Sequence, residues 1–401
     1  MGALKNIFAA AGLLAAAGAG ETIYFYNRTM KRGNAKTERT TKMSGTDWEQ
    51  YFPLMEERKG FVLAQTHRDV YIRSFDGLKL HAVYFPGMKQ EENPGQSEGG
   101  FRQGDAGRQE TGQAGVVAQQ ETGQAGAAAQ QETGQEETAV QQEAGQAENA
   151  LQTDTTDCEC AVGHASDAVG SAAPCPRKAV ICFHGYTGEG LSNYIAMTDY
   201  FLKQGYAVLL PDARAHGESE GEYIGFGCLD RKDALGWINW LIKECGEEVS
   251  VLLHGTSMGG ATVLMASGLE LPPNVKGIVS DCGFTSPKEV FTHVLNHMYH
   301  LPAFPAIQGA DFLNRKLAGY GMDECNAKYE VRKAKVPILF IHGSADTFVP
   351  CSMCHEIYDN CASPKRKLIV EGAAHAESYY KDMEAYEKAL SEFADEVMWV
   401  K

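Results

Sequence analysis

The stretch "VSVLLHGTSMGGATVLMASG", residues 249 to 268, holds an apolar run, a turn of small residues and a second apolar run. Val249 to Leu253 is aliphatic and β-branched, short and almost continuously apolar, as a strand buried on both faces must be. The residues after Gly259 read as an Ala-rich helix. Between them Gly255, Ser257 and Gly259 form Gly-x-Ser-x-Gly. A strand that runs into a helix through this turn is a nucleophile elbow, in which both neighbours of the serine must be small so that the chain can fold back. The stretch lacks the Lys-Ser/Thr ending of a phosphate loop.

Working outward, the flanking chain alternates strand and helix patterns. "DVYIRSFDGLKLHAVYFPG", residues 69 to 87, predicts two antiparallel strands joined by a two-residue hairpin at Asp76-Gly77. Apolar runs follow at Ala179 to Phe183, Ala207 to Leu210, Val275 to Ser280, Ile338 to Ile341 and Leu368 to Val370. Segments of helical period such as "RKDALGWINWLIKECG" lie between them. The pattern predicts an α/β fold with a mostly parallel central sheet, antiparallel N-terminal strands and helices on both faces.

The 401 residues are uneven in composition. Residues 86–176 have few large apolar side chains and are expected to be a disordered Gln/Glu/Gly/Ala-rich insert. Within it an 11-residue unit recurs four times from Arg108 to Leu151, with Gly112, Gly123, Gly134 and Gly145 in register. Such a glycine disfavours the right-handed coiled coil that this period could otherwise build. The insert carries 15 acidic and 3 basic residues, so it accounts for most of the formal charge of −16. No basic patch appears elsewhere, which argues against nucleic acid as a partner.

The N-terminus, "MGALKNIFAAAGLLAAAGAGETIYFYNRTMKR", is apolar from Ile7 to Gly20 and then carries aromatics at Tyr24 to Tyr26. Residues 1–30 are expected to form a single-pass membrane anchor with the aromatics at the membrane interface. The cations Arg28, Lys31, Arg32, Lys36 and Arg39 follow the span and favour a cytoplasmic domain. The alternative is a signal peptide cleaved near Ala17 to Ala19, leaving a secreted protein. The 11 cysteines are odd in number and several lie in core strands, so they read as reduced thiols. Cys158-x-Cys160 and Cys351-x-x-Cys354 lack a second pair at metal-site spacing.

In parallel sheets functional groups collect past the carboxyl ends of the strands. There the sequence places His184, Asp212, Asp281, Asp346 and His375. A serine hydroxyl needs an imidazole to take its proton, and the imidazole needs a carboxylate to fix its tautomer. Ser257, Asp346 and His375 follow the chain order of an elbow-bearing enzyme. Asp212 and Asp281 are rival carboxylates and His355 a rival base. His184, His342, His216 and Arg214 read as braces for loops. His293, His297 and His300 have ligand-like spacing but read as solvated or hydrogen-bonded histidines.

Taken together, "FHGYTG", "PDARAHGESEG", "GTSMGG", "IHGSADTFVP" and "GAAHAESY" resemble the α/β-hydrolase superfamily. The resemblance is to its serine aminopeptidase-like and monoacylglycerol lipase-like branch, including membrane-anchored bacterial members. It covers residues 45–85 and 177–401. It implies Ser257 as nucleophile, His375 as base, Asp346 as orienting carboxylate and the backbone N–H groups of Tyr186 and Met258 as oxyanion hole. No cofactor is required. "VFTHVLNHMYHLPAFPAIQGADFLNRKLAG" supplies a small helical cap, about residues 286–330. The expected substrate is a small ester or lipid-like molecule. The alternatives are a serine peptidase or acyltransferase on the same fold, and a non-catalytic binding module that uses the pocket beneath the cap.

Overall fold

The computed structural model describes residues 20, 22–32, 45–88 and 176–398. Eight strands form one sheet in the order β1-β2-β4-β3-β5-β6-β7-β8. They are β1 Arg68–Arg73, β2 Lys79–Phe85, β3 Lys178–Phe183, β4 Ala207–Pro211, β5 Ser250–Thr256, β6 Val275–Asp281, β7 Ile338–Gly343 and β8 Lys365–Val370. β1 pairs antiparallel with β2, and β2 with β4; every later pairing is parallel. Each strand predicted from an apolar run is present.

Central strands are buried along almost their whole length because helices cover both faces. β4 and β7 are buried at every residue, and β3 at all but its first. One face packs on the helices Asp230–Cys245 and Met258–Ala266, with Trp237, Ile238 and Leu264 fully enclosed. The other packs on Gly190–Lys203 and Met383–Met398, through Phe201, Tyr386 and Phe393. β8 is one of the two edge strands and alone mixes three cations, Lys365 to Lys367, into its pattern, a device that blunts edge pairing. Those charges hide the first half of the strand from a search for apolar runs.

The hairpin differs from its prediction. Five residues, not two, join β1 to β2, because Ser74 closes the turn by accepting from Leu78 N–H through Oγ, while the Ser74 N–H donates to Leu78 O. Asp76 instead pairs with Arg214 at 2.9 Å.

A second correction concerns the N-terminus. Residues 1–19 of the expected anchor lie outside the described residues, and no described helix is long and apolar enough to cross a membrane. Residues 22–29 are helical, and Thr22, Tyr26 and Met30 are buried in the protein. Their spacing of four is a helical stripe. Tyr26 and Met30 join the main core cluster, Phe25 meets Phe291 edge to face at 5.7 Å, and the Ile224 N–H donates to Met30 O. The aromatics expected at a membrane interface are thus partly committed to the domain itself.

The 11-residue repeats lie outside the described residues. The points where the chain leaves and returns do not: a Cβ on Gly87, at φ +90°, would lie 2.6 Å from Pro176 Cγ.

Candidate active site

Ser257 stands between β5 and the helix Met258–Ala266 with φ 57° and ψ −112°, in the left-handed region that a non-glycine residue avoids. The two glycines of the motif are forced by contact. A Cβ on Gly255 would lie 2.1 Å from the Gly259 carbonyl oxygen, and one on Gly259 would lie 1.8 Å from the Phe183 carbonyl oxygen. The strain at Ser257 is held by the backbone around it: its N–H donates to the Asp281 carbonyl at 2.8 Å, and its carbonyl accepts from Ala261.

The turn aims Ser257 Oγ at His375, whose Nε2 lies 2.8 Å away. On the other side of the ring Nδ1 lies 2.7 Å from Asp346 Oδ2. Asp346 Oδ1 accepts from the N–H groups of Phe348 and Val349, both at 2.9 Å. With both oxygens occupied as acceptors, Asp346 serves as a fixed carboxylate and the ring as an Nδ1–H tautomer able to accept from serine. Burial opposes the charge on Asp346, but the imidazoles of His375 and His342 overcome it and hold the carboxyl well below its ordinary range. Phe348 packs on the His375 ring at 4.9 Å.

The loop that carries His375 is tied from outside. Thr46 Oγ1 donates to the His375 carbonyl, and Glu377 accepts from Ala374 N–H and from the Tyr51 hydroxyl. Residues 45–51 therefore act as a strap across this loop, a role that sequence reading missed because the contacts span more than 300 positions.

The rival groups lie elsewhere or serve other ends. Asp212 accepts from Gly190 N–H, Glu218 N–H and His81, and although burial opposes its charge these bonds hold it at about 2. His355 is exposed and bonds Lys367. His184 Nδ1 contacts the Gly185 carbonyl while Nε2 accepts from Ala213 N–H, and His216 likewise bridges Arg214 and Thr187. Arg214 forks onto Asp233 and Asp76. His342 braces the Val349 carbonyl as expected, and in addition lies 3.3 Å from Asp346, a partnership that sequence reading did not foresee. His293 and His297 stack at 4.5 Å, and His293 Nε2 meets the Thr347 carbonyl.

Asp281 is the second carboxyl at the site. It is fully enclosed, its Oδ2 accepts from the Tyr386 hydroxyl at 3.2 Å, and its Oδ1 has no hydrogen-bond partner within bonding distance among the described residues. Burial pushes it up to about 6, with His342 and Tyr386 working the other way. Tyr386 continues to His254 and Tyr194, a buried polar chain behind the serine. Burial lowers His254 to about 3, so the chain is neutral there.

A cavity of about 560 Å³ opens over Ser257 and His375. Phe291, Val294, Leu295, Tyr299 and Leu301 of the expected cap line one side, and Tyr24, Phe25, Arg28 and Thr29 of the N-terminal helix another. Tyr186 also lines it, while Met258 is buried as the first residue of the helix after Ser257. Among the described residues one triple of ligand-type groups lies close together, Cys282, Asp346 and His375, and two of its members already bond each other.

The family model for the alpha/beta hydrolase fold matches residues 178–298. The Bacillus subtilis (strain 168) protein YqkD, itself uncharacterized, is 31% identical over 220 residues, covering 55% of this chain and 72% of that protein. The chain belongs to the alpha/beta hydrolase family. Escherichia coli (strain K12) YfhR, also uncharacterized, is 25% identical over 203 residues, 50% of this chain and 63% of that one. The Pyrococcus furiosus esterase Pf2001 superposes on this alpha/beta hydrolase with a TM-score of 0.53 at 17% identity, over 84% of this chain and 93% of its own, a likeness of fold.

Proposed function

We propose that this alpha/beta hydrolase is a serine hydrolase that cleaves a carboxylic ester through an acyl-enzyme. The observation that carries the reading is the hydrogen-bonded line from Ser257 Oγ through His375 to Asp346, at 2.8 and 2.7 Å, starting from a strained elbow. Ser257 attacks the ester carbonyl as His375 Nε2 takes its proton. The backbone N–H groups of Met258 and Tyr186 receive the developing oxyanion, each donor contributing ~3 kcal/mol to the transition state. His375 returns the proton to the departing alkoxide, and the same imidazole then draws a proton from water to release the acid. Asp346 fixes the accepting tautomer of the neutral ring and stabilises the imidazolium that forms in each half of the reaction. The largely apolar cavity suits an acyl or aryl chain and offers few groups to hold a peptide backbone. The Pyrococcus furiosus relative is named an esterase, which agrees with this reading.

The test is labelling of the full chain with a serine-directed fluorophosphonate, with the adduct located by mass analysis. Ser257 should be labelled, and the label should vanish in Ser257→Ala and His375→Ala. A folded but unlabelled wild-type protein would overturn the triad and leave the cavity as a binding site.

The apolar run before residue 20 belongs to the same proposal as a tether that keeps the domain on the cytoplasmic side of a membrane. The full chain should then sediment with membranes, whereas a chain started at residue 20 should remain in the supernatant; equal partitioning removes the tether.

A further inference from the structure

Three cations lie in or just after the N-terminal helix and differ in their surroundings. Lys31 Nζ lies 3.0 Å from Glu222, and Arg32 donates to the carbonyls of Gly217 and Ser219. The Arg28 guanidinium makes no hydrogen bond or ion pair among the described residues, and Arg28 lines the cavity over Ser257. No other lysine or arginine among the described residues does so.

Its placement is fixed. The Tyr186 hydroxyl donates to the carbonyls of Thr29 at 3.1 Å and of Arg28 at 3.4 Å. Tyr186 follows Gly185, where an added Cβ would lie 3.4 Å from Ser257 Cβ. The turn bearing the guanidinium is therefore locked to the loop that faces the serine. The buried anchors Tyr26 and Met30 hold the same helix to the domain, so Arg28 is carried by a docked element rather than a free tail.

Phe25, Phe291, Val294 and Leu295 line the same cavity, and Arg28 itself is solvent-exposed. A guanidinium is weakly hydrated and forks onto a carboxylate. We infer that the preferred substrate is an ester with an apolar chain and a second, anionic group of the carboxylate type, which binds Arg28 while the ester carbonyl meets Ser257. This rests on the ester-hydrolase reading above and names the substrate class of that site.

The test compares matched pairs: p-nitrophenyl hemiesters of dicarboxylic acids from adipate to sebacate against their methyl-capped forms, and hexanoyl 4-hydroxybenzoate against its methyl ester. The pairs put the anion on the acyl side or on the leaving-group side. The full chain should favour the free acid of one series in kcat/KM by about tenfold, equivalent to ~1.4 kcal/mol. That ratio should fall to near unity in Arg28→Gln, invert in Arg28→Glu and largely return in Arg28→Lys. Calorimetric binding of the same uncleaved pairs to Ser257→Ala should show the same preference and the same dependence on Arg28. Hydrolysis of both members of every pair without a preference, or a preference that survives Arg28→Gln, overturns the inference while leaving the hydrolase reading intact. Selective binding without any turnover leaves the anion site standing and overturns the hydrolase reading instead.

Discussion

At the floor of the cavity a Cβ on Gly259 would lie 1.8 Å from a backbone oxygen, while at its wall the guanidinium of Arg28 has no bonding partner among the described residues. The floor is built where β3, β5, β6 and β7 end side by side, so every atom there is fixed by its neighbours. The wall is an eight-residue helical stretch held by a stripe of buried side chains and by the Tyr186 hydroxyl. A rigid floor suits groups that must meet within hydrogen-bond distance, and a wall carried by a separate docked element suits selection among substrates. The difference teaches that chemistry and recognition have been assigned to parts of the fold with different tolerance to change.

Substitutions can break this division, beginning at the floor. Ser257→Ala or His375→Ala should lower kcat on a chromogenic ester on the order of a million-fold, and Asp346→Asn by ~10⁴ because the amide favours the wrong tautomer. All three should keep the wild-type melting profile to within a few degrees; if activity persists in any of them, the floor has been misassigned. Gly259→Ala is expected to cost about 4 kcal/mol through displacement of β3, read as a lowered urea midpoint.

Asp281 sharpens the comparison through pH. Its carboxyl is raised in the folded state from near 3.8 to about 6, so the folded protein binds this proton more tightly than the unfolded chain does. The associated stability is complete below the ordinary value, is lost as pH rises towards 6 and stays lost above it. Asp281→Asn, neutral at every pH, should therefore gain on the wild type between about pH 4 and 6, by ~3 kcal/mol relative to their difference at low pH, and hold that gain beyond. Parallel melting-temperature curves for the two proteins across that window would contradict the buried neutral carboxyl.

The smallest expected effect is at the wall. Tyr26→Ala should loosen the N-terminal helix, raise KM about tenfold and leave kcat within a few fold, because the triad is untouched. A loss in kcat as large as in KM would show that the wall and floor are one unit.

Much of the floor was legible in sequence because sterics leave few options there. A strand that must turn at Ser257 into a helix demands glycine at 255 and 259, and parallel strands bring His375 and Asp346 to the same edge. Other parts depend on contacts between distant segments, which no local period encodes. Tyr24 to Tyr26 looks the same in composition whether it faces lipid or Phe291, and only the spacing of Thr22, Tyr26 and Met30 hinted at the second. The approach of Thr46 and Tyr51 to the His375 loop carries no local sequence signal at all. His342 stands four residues before Asp346, a separation that in a tight turn returns the ring to the carboxylate, and that spacing could have been noticed.

The contact between Gly87 and Pro176 has one more implication. Because the chain leaves and re-enters the folded domain through neighbouring residues, the length between them can change without altering any distance within the catalytic floor. Replacing residues 89–175 with a short glycine-serine bridge should accordingly give a protein with unchanged melting temperature and unchanged fluorophosphonate labelling, and the same junction offers a socket for inserting a reporter domain.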